Sequence, residues 1–180
     1  TPLQSASSNC NSEVAKLFVS KGANVNSANT FGGEVKFGKI QLIKLTPLML
    51  ASTYCPAEFV QTILAAKPDV NARDKTEVTP LVLACLNGSA PMVDLLLKAG
   101  ALPNVGKESS VMMAARTGNA DVMKLLLAKG GDANTKESER GQTALMWAAV
   151  EKHPGVLRLL LANGADVSAR TVAPAPPQGA

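Results

Sequence analysis

The chain has 180 residues, of which 46% are hydrophobic and 3% aromatic, and its formal net charge is +4. That charge is the difference between 18 basic and 14 acidic residues, so it does not single out nucleic acid or an anionic membrane as the partner. No apolar run approaches the roughly 20 residues that span a bilayer, so we expect no transmembrane helix.

The first predicted unit, residues 1–27, consists of two short helices. Thr1 can cap the first helix with its hydroxyl, and Pro2 suits the first helical position because its missing N–H costs nothing there. The second helix is rich in apolar residues and stops near Gly22, since glycine readily adopts the left-handed conformation that ends helices. The polar first helix is typical of a capping unit, or of a unit whose upstream neighbour is missing from the sequence.

Residues 28–45 lengthen the first connection and change its hydrophobic period from 3.6 to 2. A two-residue Gly-Lys turn would pair Phe37 with Ile40 and Val35 with Leu42, which places four apolar side chains on one face of an elongated β-hairpin. That face could lie against the neighbouring units, the hairpin could be an extra lip for a partner, or the segment could be disordered.

The helix-opening pattern returns four more times along the chain. The further openings are Thr46, Thr79, Ser109 and Thr143, and in every unit the second helix ends 21 residues after the opening. Successive openings, counted from Thr1, are separated by 45, 33, 30 and 34 residues, so the variation is confined to the connecting segments. Helices this short are marginal alone in water, and we therefore expect the units to stack side by side.

The period and the Thr-Pro-Leu openings resemble the ankyrin repeat, whose signature is a period of about 33 residues and a Thr-Pro-Leu-His-x-Ala opening. The resemblance implies an all-α, ankyrin-type α-solenoid with short β-hairpin loops. Its five repeats span 1–27, 46–78, 79–108, 109–142 and 143–170. The proline-rich residues 171–180 are predicted to form a tail or a linker. The family's opening histidine is absent, since its place holds Gln4 in the first copy and Met or Val in the others, so whether its usual hydrogen bonds between neighbouring openings are kept is left open.

The three cysteines are interpreted as small, free, packed thiols, the alternative being a redox or metal-linked role. Cys10 and Cys55 each lie nine residues after an opening, and Cys85 lies six after its own. Neighbouring helices pack about 8–10 Å apart, whereas a disulfide needs Cα atoms closer than about 7 Å, so we expect no bridge between Cys10 and Cys55. A zinc site is not expected, because the chain has one histidine and no Cys-x-x-Cys spacing.

No constellation of catalytic or cofactor-binding residues emerges from the sequence. His153 precedes Pro154 at a turn and is interpreted as a solvated helix-start residue, since no orienting carboxylate is evident. Residues 33–39 match the spacing of a phosphate-binding loop, but Ile40 stands where Ser or Thr must hold magnesium. Trp147 takes a position that is Leu in two other copies, which favours core over a binding anchor. We therefore expect no enzyme activity, no cofactor and no metal.

The resemblance also implies a function, which is recognition of another protein on the concave face of the array. The contacts would come from the loops before each opening and from the residues seven and eight after it. The predicted loop contacts are Asp74, Lys75, Glu77, Glu137, Arg140 and Gln142, and the predicted helix contacts are Thr53, Tyr54, Leu86, Asn87, Arg116, Thr117, Val150 and Glu151. Tyr54, Leu86 and Arg116 would form the central cluster, since an aromatic, an aliphatic and a guanidinium are good anchors. Nucleic acid, a membrane or a small-molecule substrate is not expected as a partner, and the alternative function is a structural spacer or regulatory appendage of a larger protein that could be an enzyme.

Overall fold

The computed structural model of the protein describes residues 1–29 and 44–172, and within these ranges it contains ten α-helices in five helix-turn-helix pairs. The pairs are α1 (Pro2–Ser8) with α2 (Ser12–Ser20), α3 (Pro47–Tyr54) with α4 (Ala57–Leu64), α5 (Pro80–Leu86) with α6 (Ala90–Lys98), α7 (Ser110–Thr117) with α8 (Ala120–Ala128), and α9 (Ala144–Val150) with α10 (Pro154–Ala162). Each first helix contacts the first helix of the next pair, and each second helix contacts the next second helix. The pairs therefore form a solenoid with a first-helix layer and a second-helix layer, and the predicted all-α ankyrin-type architecture is confirmed.

The five first helices begin where the sequence predicts. Their N-cap residues are Thr1, Thr46, Thr79, Ser109 and Thr143. Each hydroxyl accepts a hydrogen bond from the backbone N–H three residues later, at 3.2 or 3.3 Å. A cap of this kind contributes about 1 kcal/mol, and all but the first of these caps are buried.

In the first repeat a glutamine keeps a hydrogen bond between neighbouring openings. The side-chain Nε2 of Gln4, which is buried, donates to the carbonyl of Leu45 at 2.6 Å. Leu45 directly precedes the N-cap of the next repeat. In the following three copies the equivalent residues are Met49, Val82 and Met112, all buried. Gln4 therefore supplies a hydrogen bond between neighbouring openings in the first repeat, whereas the next three repeats fill the position with apolar side chains.

The core is a continuous ribbon of aliphatic side chains between the two layers. In the third pair, Leu81 and Leu83 of α5 and Val93 and Leu96 of α6 are all at most 1% exposed and belong to one buried cluster with their counterparts in the other pairs. Burial of such a side chain contributes about 1.5–3 kcal/mol. Because the helices are short, this packing and not intrinsic helix propensity holds each pair in place.

Asparagines in the loops that follow the second helices connect neighbouring repeats. The side-chain amide of Asn104 donates to the carbonyl of Gly130 at 2.8 Å, and its oxygen accepts from the N–H of Asp132 at 2.8 Å. Asn71 and Asn134 make the same pair of bonds to the repeats that follow them, at 2.8–3.1 Å. Each of these bonds satisfies backbone groups left over at the end of a helix.

The structure overturns the expectation for two of the three cysteines, because Cys10 and Cys55 form a disulfide with their Cα atoms 5.4 Å apart. The expectation used the spacing between helix axes, but neither cysteine lies within a helix. Cys10 is in the turn between α1 and α2, and Cys55 directly follows α3, so the two turns approach more closely than the helices do. Cys85 is free and buried, as predicted.

Two predictions fall outside the described residues. The strand pairs proposed for residues 28–45 lie there, and so does the proline-rich segment after Val172. At the margin of the first segment, Asn29 and Leu45 form an antiparallel bridge with two backbone hydrogen bonds, at 3.2 and 2.9 Å.

Candidate protein-binding groove

Two adjoining hollows lie between the third and fifth repeats, and together they are called the groove here. The helix-end hollow is lined by Leu86, Arg116, Thr117 and Glu151, at the ends of α5, α7 and α9. The loop hollow is lined by Arg116 and Trp147 together with the loop residues Lys107, Glu108, Glu137, Ser138, Glu139, Arg140 and Gln142. Arg116 lines both hollows and is therefore the centre of the groove.

The helix-end hollow has an apolar side chain at its base and a fixed wall. Leu86 is only 8% exposed, so it presents a small apolar surface backed by the core. The hydroxyl of Thr117 donates toward the carbonyls of Ala114 and Cys85, at 3.4 and 3.5 Å. The contact with Cys85 connects the end of α7 to α5, and so fixes one wall of the hollow.

The loop hollow is bordered by a loop that Glu137 organises. The Glu137 carboxylate accepts backbone N–H groups from Glu139 at 2.6 Å, from Arg140, and from Gln142 at 3.1 Å. Partial desolvation raises the pKa of Glu137, but the three backbone donors outweigh it and hold that pKa below its ordinary value. The carboxylate of the predicted contact Glu137 is thus bonded within its own loop, whereas Arg140 and Gln142 also line the hollow.

An ion pair connects this loop with the one before α7. Lys107 Nζ lies 3.0 Å from a carboxylate oxygen of Glu139. The hydrogen bond and the charge of Glu139 raise the pKa of Lys107. Both side chains are largely solvated, so solvent screening leaves the pair little weight in stability. Its consequence is geometric, because it brings the two loop tips together along one side of the groove.

Arg116 lies against an aromatic ring instead of a carboxylate. Its guanidinium carbon is 5.2 Å from the centroid of the Trp147 ring, within cation–π range. Among residues 1–29 and 44–172, no acidic side chain lies within 4.0 Å of it. The guanidinium is thus held by Trp147 while its charge is left unneutralised.

Trp147 was predicted to be core, and the structure gives it two roles. It is half-buried and packs against the hydrophobic core, and it also lines the loop hollow beside Arg116. Comparison of equivalent positions within single repeats does not reveal the second role. The expected stacking of first helices could have indicated it, because that stacking brings a residue near the end of α7 to the middle of α9.

His153 is not the solvated residue that the sequence analysis predicts. It is half-buried, and its Nε2 lies 3.2 Å from the carbonyl oxygen of Arg116. A Cβ added at Gly118 would overlap its imidazole ring, so the ring lies directly on the backbone of that glycine. The histidine therefore connects the start of α10 to the end of α7 through the backbone carbonyl of Arg116.

Some predicted contacts are instead used to build the array. Asp74 is 4% exposed, and its carboxylate accepts from the N–H of Thr76 and the N–H of Val78, both at 2.8 Å. The side chain of Asn87 donates to the carbonyl of Thr53 in the preceding repeat at 2.7 Å. The assignment of Asp74 as an exposed loop contact is therefore wrong, since an Asx-type turn consumes its polar atoms.

The remaining predicted residues are spread over the surface. Glu77 pairs with Arg73 at 2.6 Å, and Lys75 is exposed. Tyr54 and Val150 are 41% and 68% exposed. Tyr54 lines neither hollow, and its position directly before Cys55 places it beside the disulfide. The predicted cluster of Tyr54, Leu86 and Arg116 is therefore reduced to the last two.

The described part of the chain contains neither a metal-binding cluster nor a membrane-spanning helix. No group of three or more His, Cys, Asp and Glu residues there is arranged to hold a metal ion. None of the helices in these ranges has both the length and the apolar character needed to cross a bilayer.

Family models match almost the entire chain. A model described as ankyrin repeats in three copies matches residues 31–107 and 103–171, and a model of the single ankyrin repeat matches residues 1–30. These matches cover all five helix pairs of the structure.

Three proteins to which the chain is similar are much longer than it is. Over 119 residues it is 32% identical to the mitochondrial disaggregase of Bos taurus, a match that covers 63% of the chain and 18% of that protein. Over 106 residues it is 35% identical to the nuclear factor NF-kappa-B p105 subunit of Gallus gallus, covering 56% of the chain and 11% of that protein. The ankyrin repeat and SOCS box protein 14 of Mus musculus is 31% identical over 99 residues, covering 50% of the chain and 17% of that protein. The chain thus spans less than a fifth of each of these relatives.

Proposed function

Since the chain belongs to the ankyrin-repeat family, we propose that it binds another protein in the groove centred on Arg116. Ankyrin repeats are generally protein-protein interaction modules, and such domains are generally non-catalytic. In this proposal the groove is part of the concave face of the array, and the occupant is a protein segment.

The observation that carries the proposal is the shared position of Arg116 between the two hollows. A half-buried arginine next to an aromatic ring and an apolar floor has the composition of an interface hot spot. The loop that borders the loop hollow is held by the turn bonds of Glu137. Because this loop is ordered before binding, little conformational entropy is lost on docking.

A binding role also accounts better than catalysis for the reactive residues of the chain. Nε2 of His153 meets a backbone carbonyl, which neither orients a general base nor activates a nucleophile. Burial raises the pKa of the Cys85 thiol far above its usual range, so it is not poised to become a thiolate. We therefore propose a non-catalytic protein, with no cofactor and with no nucleic acid, membrane or small molecule as its ligand.

Site-specific photo-crosslinking tests the location of binding. A photoreactive amino acid would replace Gln142 or Glu151 in the groove, or Lys124 on the second-helix layer, in full chains incubated with an extract of the source cells. We expect the two groove positions to crosslink one and the same protein, because they line adjoining hollows, and the Lys124 position to crosslink none.

Two results would contradict the proposal. Equal crosslinking from Lys124 would place the partner on the other layer, and no crosslinking from either groove position would favour a spacer or appendage. Arg116→Ala, compared with Arg158→Ala on the exposed face of α10, checks that capture depends on the groove and not on net charge.

A further inference from the structure

Arg116 differs from every other basic residue in the described ranges. Every other lysine and arginine among residues 1–29 and 44–172 is exposed, whereas Arg116 is half-buried against Trp147. Its guanidinium donates no hydrogen bond to any described residue and joins none of the four ion pairs there. A partly buried guanidinium with five N–H donors can form paired hydrogen bonds with an anionic ligand.

A carboxylate is the group that best fits the Arg116 guanidinium. Guanidinium and carboxylate match geometrically and form paired, charge-assisted hydrogen bonds. None of the acidic residues that line the loop hollow pairs with Arg116. Two of them are engaged elsewhere, since Glu137 is bonded to backbone N–H groups and Glu139 to Lys107. The charge of Arg116 is therefore available to a ligand.

The other hollow adds an apolar requirement. Arg116 shares the helix-end hollow with Leu86, whose small exposed surface is apolar, and with Thr117, whose hydroxyl is already engaged. A ligand side chain next to the carboxylate would cover Leu86 at little polar cost if it were aliphatic or aromatic.

On these grounds, and resting on the proposed function, we propose that the groove recognises a partner segment in which an Asp or Glu stands next to an apolar residue. The carboxylate binds Arg116 on its Trp147 support, and the apolar side chain enters the helix-end hollow. Glu151 and Glu108, which line the hollows and join no ion pair in the described residues, repel additional negative charge. A singly charged carboxylate is thus favoured over a doubly charged phosphate.

The test is a selection of random displayed hexapeptides against the full chain, followed by affinity measurements on individual selected peptides. We expect selected peptides to be enriched in Asp or Glu next to Leu, Ile, Met or Phe. For one such peptide, Arg116→Gln should weaken binding by about tenfold or more, since a hydrogen-bonded charge is lost. Arg116→Lys should recover part of the affinity, because the charge returns without the paired geometry.

Two further variants determine whether the effect is local and has the right sign. Arg158→Gln removes the same charge from the second-helix layer and should leave the affinity unchanged. Glu151→Gln removes a repelling carboxylate from the hollow and should strengthen binding of the acidic peptide, whereas it would weaken binding of a basic one. Thermal melting of each variant confirms that the fold is retained.

The inference and the proposed function can fail separately. Selected peptides that crosslink at Gln142 or Glu151 but are neutral, basic or dependent on phosphorylation would overturn the acidic motif and leave the groove as the binding site. The motif is also overturned if the affinity of Arg116→Gln equals that of the wild type. A selection without any peptide bound at the groove would count against both.

Discussion

The first and fourth junctions of the array, between repeats 1 and 2 and between repeats 4 and 5, differ in the second helix that the preceding repeat contributes. In α2 a single residue, Ala15, is buried, and Leu17 is 55% exposed. In α8, Val122, Met123 and Leu126 are all fully buried. Among the described helices, α2 contacts one other second helix and α8 contacts two, so α8 buries more apolar side chains.

The turns of the two junctions are joined by different chemistry. At the first junction the turns are crosslinked by Cys10 and Cys55. At the fourth, His153 lies on Gly118 and meets a carbonyl of the preceding repeat. A covalent bond thus secures the repeat whose second helix buries the fewest side chains. Because repeats contact only their neighbours, the stability of a solenoid is divided among its junctions, and a single junction can be secured locally.

The largest effect on the free energy of unfolding is expected from a cavity in α8, the second helix that the fourth repeat contributes to the fourth junction. Leu126→Ala should lower the free energy of unfolding by about 2–5 kcal/mol, because a fully buried leucine leaves a hole that the neighbours cannot fill. Leu17→Ala on α2 is the matched control and should cost under about 1 kcal/mol, since that side chain is mostly exposed. Denaturant unfolding followed by circular dichroism measures both free energies of unfolding. Similar losses would contradict the difference in burial between α8 and α2.

The disulfide is expected to have the next largest effect, and a local one. Replacing Cys10 and Cys55 by serine should destabilise by about 2–4 kcal/mol, the usual range for a crosslink that closes a long loop. Because repeats contact only their neighbours, amide exchange should accelerate in α1 and α2 and remain unchanged in α8 and α10. Uniform acceleration along the chain would show that the junctions do not behave independently. Mass spectrometry of the unreduced wild type verifies the bond itself.

The smallest effect concerns the glycine under His153. Gly118 has a φ of +75° and Gly88, its equivalent in the third repeat, has a φ of +65°, so alanine costs about 1 kcal/mol of backbone strain at either position. A Cβ at Gly118 would also overlap the His153 ring, whereas at Gly88 the nearest atom lies at 3.5 Å. Gly118→Ala should therefore be the more destabilising by thermal melting. His153→Ala in the same chain should remove the difference, and an unchanged difference would refute the contact.

The helical architecture could be predicted because its determinants are local. A hydroxyl such as that of Thr79 caps a helix three residues ahead, and Gly100 ends the next helix, whatever the rest of the chain does. Aliphatic residues such as Leu96 recur at a period that places them between the layers. These are short-range rules: all five repeats have the cap, and four have the glycine, whose place in the second repeat is taken by Lys67 with a φ of +52°.

The groove could be predicted only in part. The offset of seven residues led to Leu86 and Arg116, but the offset of eight led to Tyr54, which lies elsewhere. Asp74 has the sequence context of an exposed loop residue, yet its carboxylate binds its own turn. Whether a polar side chain faces solvent or its own backbone depends on loop geometry, which sequence spacing does not specify.

From its amino-acid order alone, this protein is determined to be a stack of five helical pairs, because caps, glycines and hydrophobic period act within a single repeat. Only the tertiary structure decided which side chains meet across repeats. It joined Cys10 to Cys55, placed Arg116 on Trp147, and laid His153 on Gly118. Such contacts depend on the distance between one repeat and the next, and that distance is set by the packing of the whole array.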